Sequence, residues 1–139
     1  KVAYVSRDGT TELLDQSGFC AELQRVEAAF KQMTGRELDS IWRAPGGRTT
    51  PRALQFAQSC GYRRHLHWNE AGFLGDEVPS DRYPNSKLLQ RALASIKSGD
   101  IMMMHLGIWS RKEPFWPELD PLIGGLKARG FCFSTLERG

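Results

Sequence analysis

Two apolar runs of this chain end in residues whose types could do chemistry. One run leads into Arg43-Ala44-Pro45-Gly46, and the other, Ile101-Met102-Met103-Met104, leads into His105 about sixty residues later. An imidazole titrates near neutral pH, so His105 could donate a proton to a leaving amine or alcohol. Pro45 fixes one backbone dihedral and the glycine after it allows close backbone approach, as in a structural turn or the edge of a site. Both groups follow apolar runs, which predicts a site at the carboxyl ends of strands.

Two further histidines, His65 and His67, lie two residues apart, so a strand would present both on one face. That spacing could chelate a metal ion, but two ligands do not make a site and no acidic residue is spaced to join them. We interpret them as surface or loop-packing histidines and assign no residue of this chain as a metal ligand.

An aromatic group follows His105, formed by Trp109, Phe115 and Trp116. These side chains could form a stacking platform for sugar rings or a hydrophobic plug over the end of a sheet, and both readings stay open.

The three cysteines are odd in number and widely separated, with no C-x-x-C pair. They indicate neither a zinc knuckle nor a disulfide framework, so we predict that they are small buried apolar residues.

Helices and strands alternate along the chain. Amphipathic spacing and caps predict helices over 19–33, 51–60, 85–96 and 118–129, with Gly35 ending the first, Thr50 capping the second and Asn85 capping the third. Strands are predicted over 41–43, 64–69, 101–105 and 131–135, the third buried on both faces, while residues 1–18 give the weakest pattern. This order predicts an α/β fold of parallel βαβ units.

The length and composition are those of one ordinary domain. The chain has 139 residues, of which 40% are hydrophobic and 25% charged, and a net charge of +3. Basic residues are scattered in pairs such as Arg63-Arg64 and Arg111-Lys112, which we assign to solvated surface. No nucleic-acid motif accompanies them, so we expect no nucleic-acid partner. The longest apolar stretch is too short to span a bilayer, so we expect no membrane span.

The Arg-x-Pro turn, the apolar strand ending in His105 and the final segment 130–136 together resemble the later motifs of the polysaccharide deacetylases (carbohydrate esterase family 4, NodB-like). The resemblance implies that residues 1–139 are a single domain, the C-terminal portion of a distorted (β/α) barrel. It also implies an enzyme that removes acetyl groups from an N- or O-acetylated polysaccharide or oligosaccharide. Localisation and oligomeric state do not follow from it.

The same resemblance implies a role for each matching residue. His105 would be the catalytic acid, Arg43 would orient the general base, and Asp76 would tune His105. The substrate would be bound by Pro45, Gly46, Trp68 and Met103: the N–H of Gly46 would help hold the oxyanion, Trp68 would form a wall, and Met103 would line the acetyl pocket. Gly46 stands where the family usually has an aromatic residue, and Glu77 follows Asp76 where the family has tryptophan. Because parallel strands present their carboxyl ends together, we expect the strand ends bearing Arg43, Trp68 and His105 to converge at one rim of the sheet.

The family's early acidic metal motif and its paired-histidine motif are both absent from this sequence. The resemblance then implies a divalent metal, zinc, held by residues outside this chain, which alone would be inactive. The alternative is a non-catalytic carbohydrate-binding relative that keeps Trp68, Trp109 and Trp116. An unrelated α/β hydrolase or nucleotide-binding domain is disfavoured, because the chain has neither G-x-S-x-G nor G-x-G-x-x-G.

Overall fold

The regular structure of this chain consists of four α-helices and four short strands within the described residues. The computed structural model describes residues 1–5, 8–105, 107–109 and 111–136. They divide into two compact units, residues 1–67 and residues 68–136, and each unit is described by itself.

The first unit opens with an antiparallel hairpin where the sequence pattern is weakest. Strands β1 (Val2–Val5) and β2 (Thr11–Leu14) pair with Val2 opposite Leu14. Helix α1 (Gln16–Thr34) follows, and the Asp15 side chain caps it by accepting a hydrogen bond from the Gly18 amide. Gly35 ends the helix in the left-handed conformation, with φ of 70°, as its sequence position predicts.

The rest of this unit builds a small core between helices and a parallel strand pair. Strands β3 (Ile41–Trp42) and β4 (Arg64–His65) are parallel and flank helix α2 (Pro51–Ser59), which Thr50 caps as predicted. β4 is shorter than the predicted strand 64–69. The buried residues of this core are Trp42, Ala44, Ala57 and Tyr62.

The cysteine prediction is wrong for all three residues. Cys20 in α1 and Cys60 at the end of α2 form a disulfide, with Cα atoms 5.6 Å apart and 40 residues of separation. Cys132 is free and exposed rather than buried. The 40-residue spacing carried no local signal, because helix packing alone brings the two sulfur atoms together.

The second unit packs two helices around its own core. Helix α3 (Asn85–Ser95) and helix α4 (Leu119–Ala128) bury Leu88, Leu122 and Leu126, and a 3₁₀ turn (Trp116–Glu118) precedes α4. Phe115 is buried in the same core. The predicted positions of all four α-helices are therefore confirmed to within a few residues.

Two strands predicted in this unit do not form within the described residues. Among the described residues, the segment 101–105 makes one isolated parallel bridge, between Phe73 and Met103. Every second backbone amide of this segment donates to a different kind of acceptor. Ile101 donates to the Asn69 side chain, Met103 to the Gly72 carbonyl and His105 to the Asp76 carboxylate. At two of these three amides, a side-chain oxygen takes the place of the backbone carbonyl that a neighbouring strand would supply. Ile101 is 37% exposed, which contradicts a strand buried on both faces. Residues 131–135 likewise have no strand partner among the described residues.

Asn85 is not the cap of α3, contrary to the sequence prediction. Pro84 occupies the cap position, and Asn85 is the buried first residue of the helix. Its side-chain amide donates to the Pro114 carbonyl and its oxygen accepts from Arg111. A tertiary partner therefore takes the side chain that local capping would have used.

The fold is a mixture of helices and short strands. Each sheet of the described residues has two strands, so the barrel stays a prediction, as does the single domain. None of the helices described here has the length and apolar character needed to cross a membrane.

Candidate active site

The second unit brings His105 and Asp76 into direct contact across 29 residues of sequence. The Asp76 Oδ2 atom accepts the His105 backbone N–H at 2.5 Å, and Oδ1 lies 3.1 Å from Nδ1 of the ring. Asp76 is buried, while 31% of the His105 side chain is exposed. One carboxylate therefore fixes both the backbone and the ring of the histidine.

This contact determines which ring nitrogen carries which proton. A carboxylate facing Nδ1 accepts a hydrogen bond, so it holds a proton on that nitrogen. The second proton of the charged ring, or the lone pair of the neutral ring, is then on Nε2. Nε2 lies 3.8 Å from the Glu77 carboxylate, and Glu77 itself is half-exposed. The imidazole can therefore transfer a proton at Nε2.

The segment before Asp76 is built for close packing. Leu74 is buried in the core of the unit, and Gly75 has a φ of 81°, a conformation that favours glycine. A Cβ on Gly75 would lie 2.6 Å from a guanidinium nitrogen of Arg91. The absence of a side chain at Gly75 thus allows the backbone to approach Arg91 just before Asp76.

The Arg-x-Pro segment forms a tight turn after β3 in the first unit. Pro45 begins a 3₁₀ turn (Pro45–Gly47), closed by a hydrogen bond from the Gly47 amide to the Ala44 carbonyl at 2.9 Å. Gly46 has a φ of 62°, which disfavours an aromatic side chain at this position. Arg43 is exposed on this turn. The turn supplies an exposed cation beside accessible backbone.

His65 anchors this turn rather than facing a ligand. Its Nε2 atom accepts the Ala44 backbone N–H at 3.1 Å, and its ring packs edge-on against Trp42 at 4.8 Å between centroids. Burial lowers the pKa of His65, and the neighbouring His67 ring lowers that pKa further. The neutral form of His65 is the one that accepts the amide proton.

Other predicted site residues lie in the second unit. Met103 is buried at 4% exposure, two residues before His105, and Trp68 is half-buried. The aromatic group divides: Phe115 is core, whereas Trp109 is 99% exposed and Trp116 is 58% exposed.

The structure thus brings together Asp76 and His105. Arg43, Pro45 and Gly46 share one turn of the first unit, and the predicted convergence of Arg43, Trp68 and His105 at one rim stays a prediction.

Two further residues of this unit were given no functional role by the sequence analysis. Glu77 lies next to Nε2 of His105, and its only sequence signal is its position after Asp76. Arg111, assigned to solvated surface, is instead buried and contacts Val78, Tyr83 and Asn85. That assignment is wrong, because the run Arg111-Lys112-Glu113 looks solvated while tertiary partners lie 26 to 33 residues away.

The described side chains do not fit the family's metal centre. They contain no group of three His, Cys, Asp or Glu residues placed to hold a metal ion. His65 uses Nε2 for the Ala44 amide, and His105 turns Nδ1 to Asp76.

Comparison with known proteins identifies the fold. No protein-family model matches the chain, and no curated protein does. Among solved structures, it resembles wild-type BA3943 from Bacillus anthracis, a CE4 family pseudoenzyme, with 21% identity and a TM-score of 0.67. It also resembles a BA3943 mutant with restored enzymatic activity, with 23% identity and a TM-score of 0.67.

Each alignment covers 86% of this chain but only 39% of the mutant chain and 38% of the wild-type chain. The predicted resemblance to carbohydrate esterase family 4 is therefore confirmed at the level of the fold.

Proposed function

We propose, from this shared fold, that the chain carries the general-acid part of a deacetylase acting on an N- or O-acetylated polysaccharide or oligosaccharide. One observation supports the proposal: the buried Asp76 carboxylate makes hydrogen bonds with both the backbone N–H and the Nδ1 atom of His105. The same arrangement orients the histidine in other acid–base sites. Nε2, the ring nitrogen that does not face Asp76, lies 3.8 Å from the Glu77 carboxylate and is the atom proposed for proton transfer.

The proposed step for this chain is one proton transfer. As the bond between the acetyl carbon and the sugar nitrogen or oxygen breaks, the departing atom takes the proton from Nε2 of His105. The ring is left neutral with its remaining proton on Nδ1, facing Asp76. Before that bond breaks, a water adds to the acetyl carbon: its oxygen becomes part of acetate, and its proton passes to the general base that Arg43 would orient.

The remaining roles are proposed from the family resemblance. Arg43 would orient a general base, and the Gly46 N–H in the Arg-x-Pro turn that Pro45 begins would contact the oxyanion. Met103 would line the acetyl pocket, and Trp68 would form a wall. The barrel belongs to the same proposal. A divalent metal, zinc by the resemblance, would take its ligands from outside this chain, and no step here depends on it.

His105→Ala in the complete protein tests the proposal. Loss of a general acid should lower kcat by about a hundredfold or more and change KM little. Acetate release from a chitooligosaccharide measures both constants. His67→Ala is the matched control, because it removes an imidazole to which no part in the proton transfer is assigned. Near-wild-type turnover of His105→Ala would show that the histidine is structural.

A non-catalytic carbohydrate-binding protein is the second candidate, and two observations favour it. Trp109 and Trp116 are exposed large aromatic side chains in the same unit as His105. The structural neighbour wild-type BA3943 is a CE4 family pseudoenzyme. Exposed indole rings are suited to stacking on the apolar faces of sugars.

Trp109→Ala tests this candidate. The substitution should weaken chitooligosaccharide binding at least tenfold, followed by NMR shifts or tryptophan fluorescence, in a complete protein that releases no acetate. Phe133→Ala removes another exposed aromatic side chain of this unit and is the control. Acetate release by the wild-type protein would favour the enzyme, and unchanged binding by Trp109→Ala would exclude this tryptophan as the platform.

A further inference from the structure

We propose that Arg91 and Arg111 are positioning residues that clamp the loop around Asp76 from both sides, so that its carboxylate meets His105. The Asp76 loop is defined here as residues 73–83. The catalytic meaning of the clamp rests on the proposed function, whereas the clamp itself is a property of the fold.

Arg91 holds the loop on the side before Asp76. It projects from α3, and its Nη2 atom donates to the Leu74 carbonyl at 2.9 Å and to the Phe73 carbonyl at 3.2 Å. Gly75 is the residue that permits this approach, since a Cβ there would collide with Nη2. The backbone immediately before Asp76 is therefore fixed to α3.

Arg111 holds the loop on the side after Asp76. Its Nη1 atom donates to the Val78 carbonyl, and Nη2 donates to the Tyr83 carbonyl at 2.9 Å. Nη2 also donates to the Asn85 side-chain oxygen at 2.8 Å, and Nε donates to the Glu113 carbonyl at 2.6 Å. The side chain of Arg111 is 1% exposed. One buried guanidinium thus ties both ends of 78–83 to the segment that follows His105.

The chemistry of these contacts requires arginine. A guanidinium directs five N–H donors in a rigid plane, so one side chain can satisfy several carbonyls that point in different directions. A lysine ammonium is compact and flexible and cannot span the same set. Hydrogen bonds to the rigid guanidinium groups restrain the positions of these backbone carbonyls. Asp76 lies between the two restrained stretches, so its position is restrained as well.

Movement of the Asp76 loop would disrupt the hydrogen bonds of His105. The His105 amide and Nδ1 both depend on the two oxygens of one carboxylate. A shift of the Asp76 loop by an ångström would break at least one of them, because hydrogen bonds weaken steeply with distance and angle. The ring would then lose its fixed tautomer.

The test is hydrogen exchange at the His105 amide in the 139-residue chain, with ring ¹⁵N shifts read from the same NMR samples. Arg91→Gln and Arg111→Lys should each speed exchange at this amide by about tenfold to a hundredfold. At a pH at which the imidazole is neutral, the ring should lose its Nδ1–H preference in the same variants.

Arg129→Gln is the matched control. Arg129 also donates to backbone carbonyls, those of Leu93 and Ile96, but these lie at the far end of α3. Its loss should speed exchange at Phe131, whose amide bonds the Leu126 carbonyl, and leave His105 unchanged. A purely structural role for the clamp arginines would instead affect both amides alike.

Unchanged His105 exchange and ring shifts in the folded variants would overturn the proposal, as would equal acceleration by Arg129→Gln. If Arg111→Lys fails to fold, the result for Arg91→Gln tests the proposal by itself, because Arg91 is at an exposed position. The measurement uses no substrate, so a chain that behaves as expected here but lacks deacetylase activity would refute the proposed function and leave the clamp intact.

Discussion

At the scale of single residues, identical histidines take opposite roles because of what faces each ring. His65 accepts a backbone amide proton through Nε2, which requires a neutral ring. His105 faces a buried carboxylate through Nδ1, which keeps a proton on that nitrogen. The family resemblance named Asp76 as the residue that acts on His105, whereas nothing in the sequence indicated the Ala44 amide opposite His65.

The His65 environment predicts a dependence of stability on pH. The pKa of His65 is lowered in the folded chain from its ordinary value of 6.5, so the unfolded chain binds more protons between the two values. The free energy of unfolding should therefore fall as pH drops through about 6.5, by at most about 1.4 kcal/mol per pH unit for this one proton. This contribution is fully present above that pH.

Urea unfolding at pH values of about 8 and about 5 measures the effect. His65→Gln should remove the His65 part of the pH dependence of the unfolding free energy. The glutamine side-chain oxygen can still accept the Ala44 N–H, but it does not titrate. His67→Gln should retain most of it, because burial is the larger cause of the lowered pKa. The same pH dependence in wild type and His65→Gln would refute this explanation.

At the scale of elements, α1 and α2 are joined by a covalent bond as well as by packing. The Cys20–Cys60 disulfide links them beside the Trp42 core, and Phe19 packs edge-on against Trp42 at 5.7 Å. In the same core, the Tyr62 hydroxyl donates to Glu27 of α1 at 2.9 Å. Burial first, then the hydrogen bond and charge of Glu27, raises the pKa of Tyr62 to about 12.

Removing the disulfide should destabilise the first unit. The Cys20→Ser/Cys60→Ser variant should lose about 4 kcal/mol of unfolding free energy, the value expected for a bond that closes a loop of this length. Urea unfolding compares it with Cys132→Ser, which removes an exposed free thiol and should change little. Thiol labelling of the denatured, non-reduced chain should find one thiol, and finding three would refute the disulfide.

At the scale of the whole molecule, two units each have their own buried core, one around Trp42 and Ala57 and the other around Leu88 and Leu122. The fold that these residues share with CE4 family proteins extends over less than half of those chains. Any activity of those longer chains is therefore a proposal for this one, to be tested by experiment.

We expect the 139-residue chain alone to bind no catalytic metal tightly and to release no acetate. His65 and His105 each commit a ring nitrogen to a protein partner, and a metal site needs several deprotonated ligands in fixed geometry. Zinc titration by calorimetry, with acetate release from a chitooligosaccharide followed in parallel, measures both. Stoichiometric tight binding with metal-dependent acetate release would show that the site is complete in this chain.

Features that depend on residues a few positions apart could be predicted from the amino-acid sequence. Thr50 before Pro51 caps α2, and Gly35 ends α1, because capping and a left-handed stop are chemistry between residues a few positions apart. The motif order around Arg43 and His105 was likewise enough to predict the family resemblance, which the fold comparison bears out.

Contacts between residues distant in sequence could not be predicted and became visible only in the folded chain. Residues 101–105 resemble a buried strand, yet the Asn69 and Asp76 side chains take two of their amides. The Cys20–Cys60 bond and the burial of Arg111 also depend on partners more than 20 residues away. Such contacts form because packing makes distant groups neighbours and a buried polar group must find a partner, whichever part of the chain supplies it.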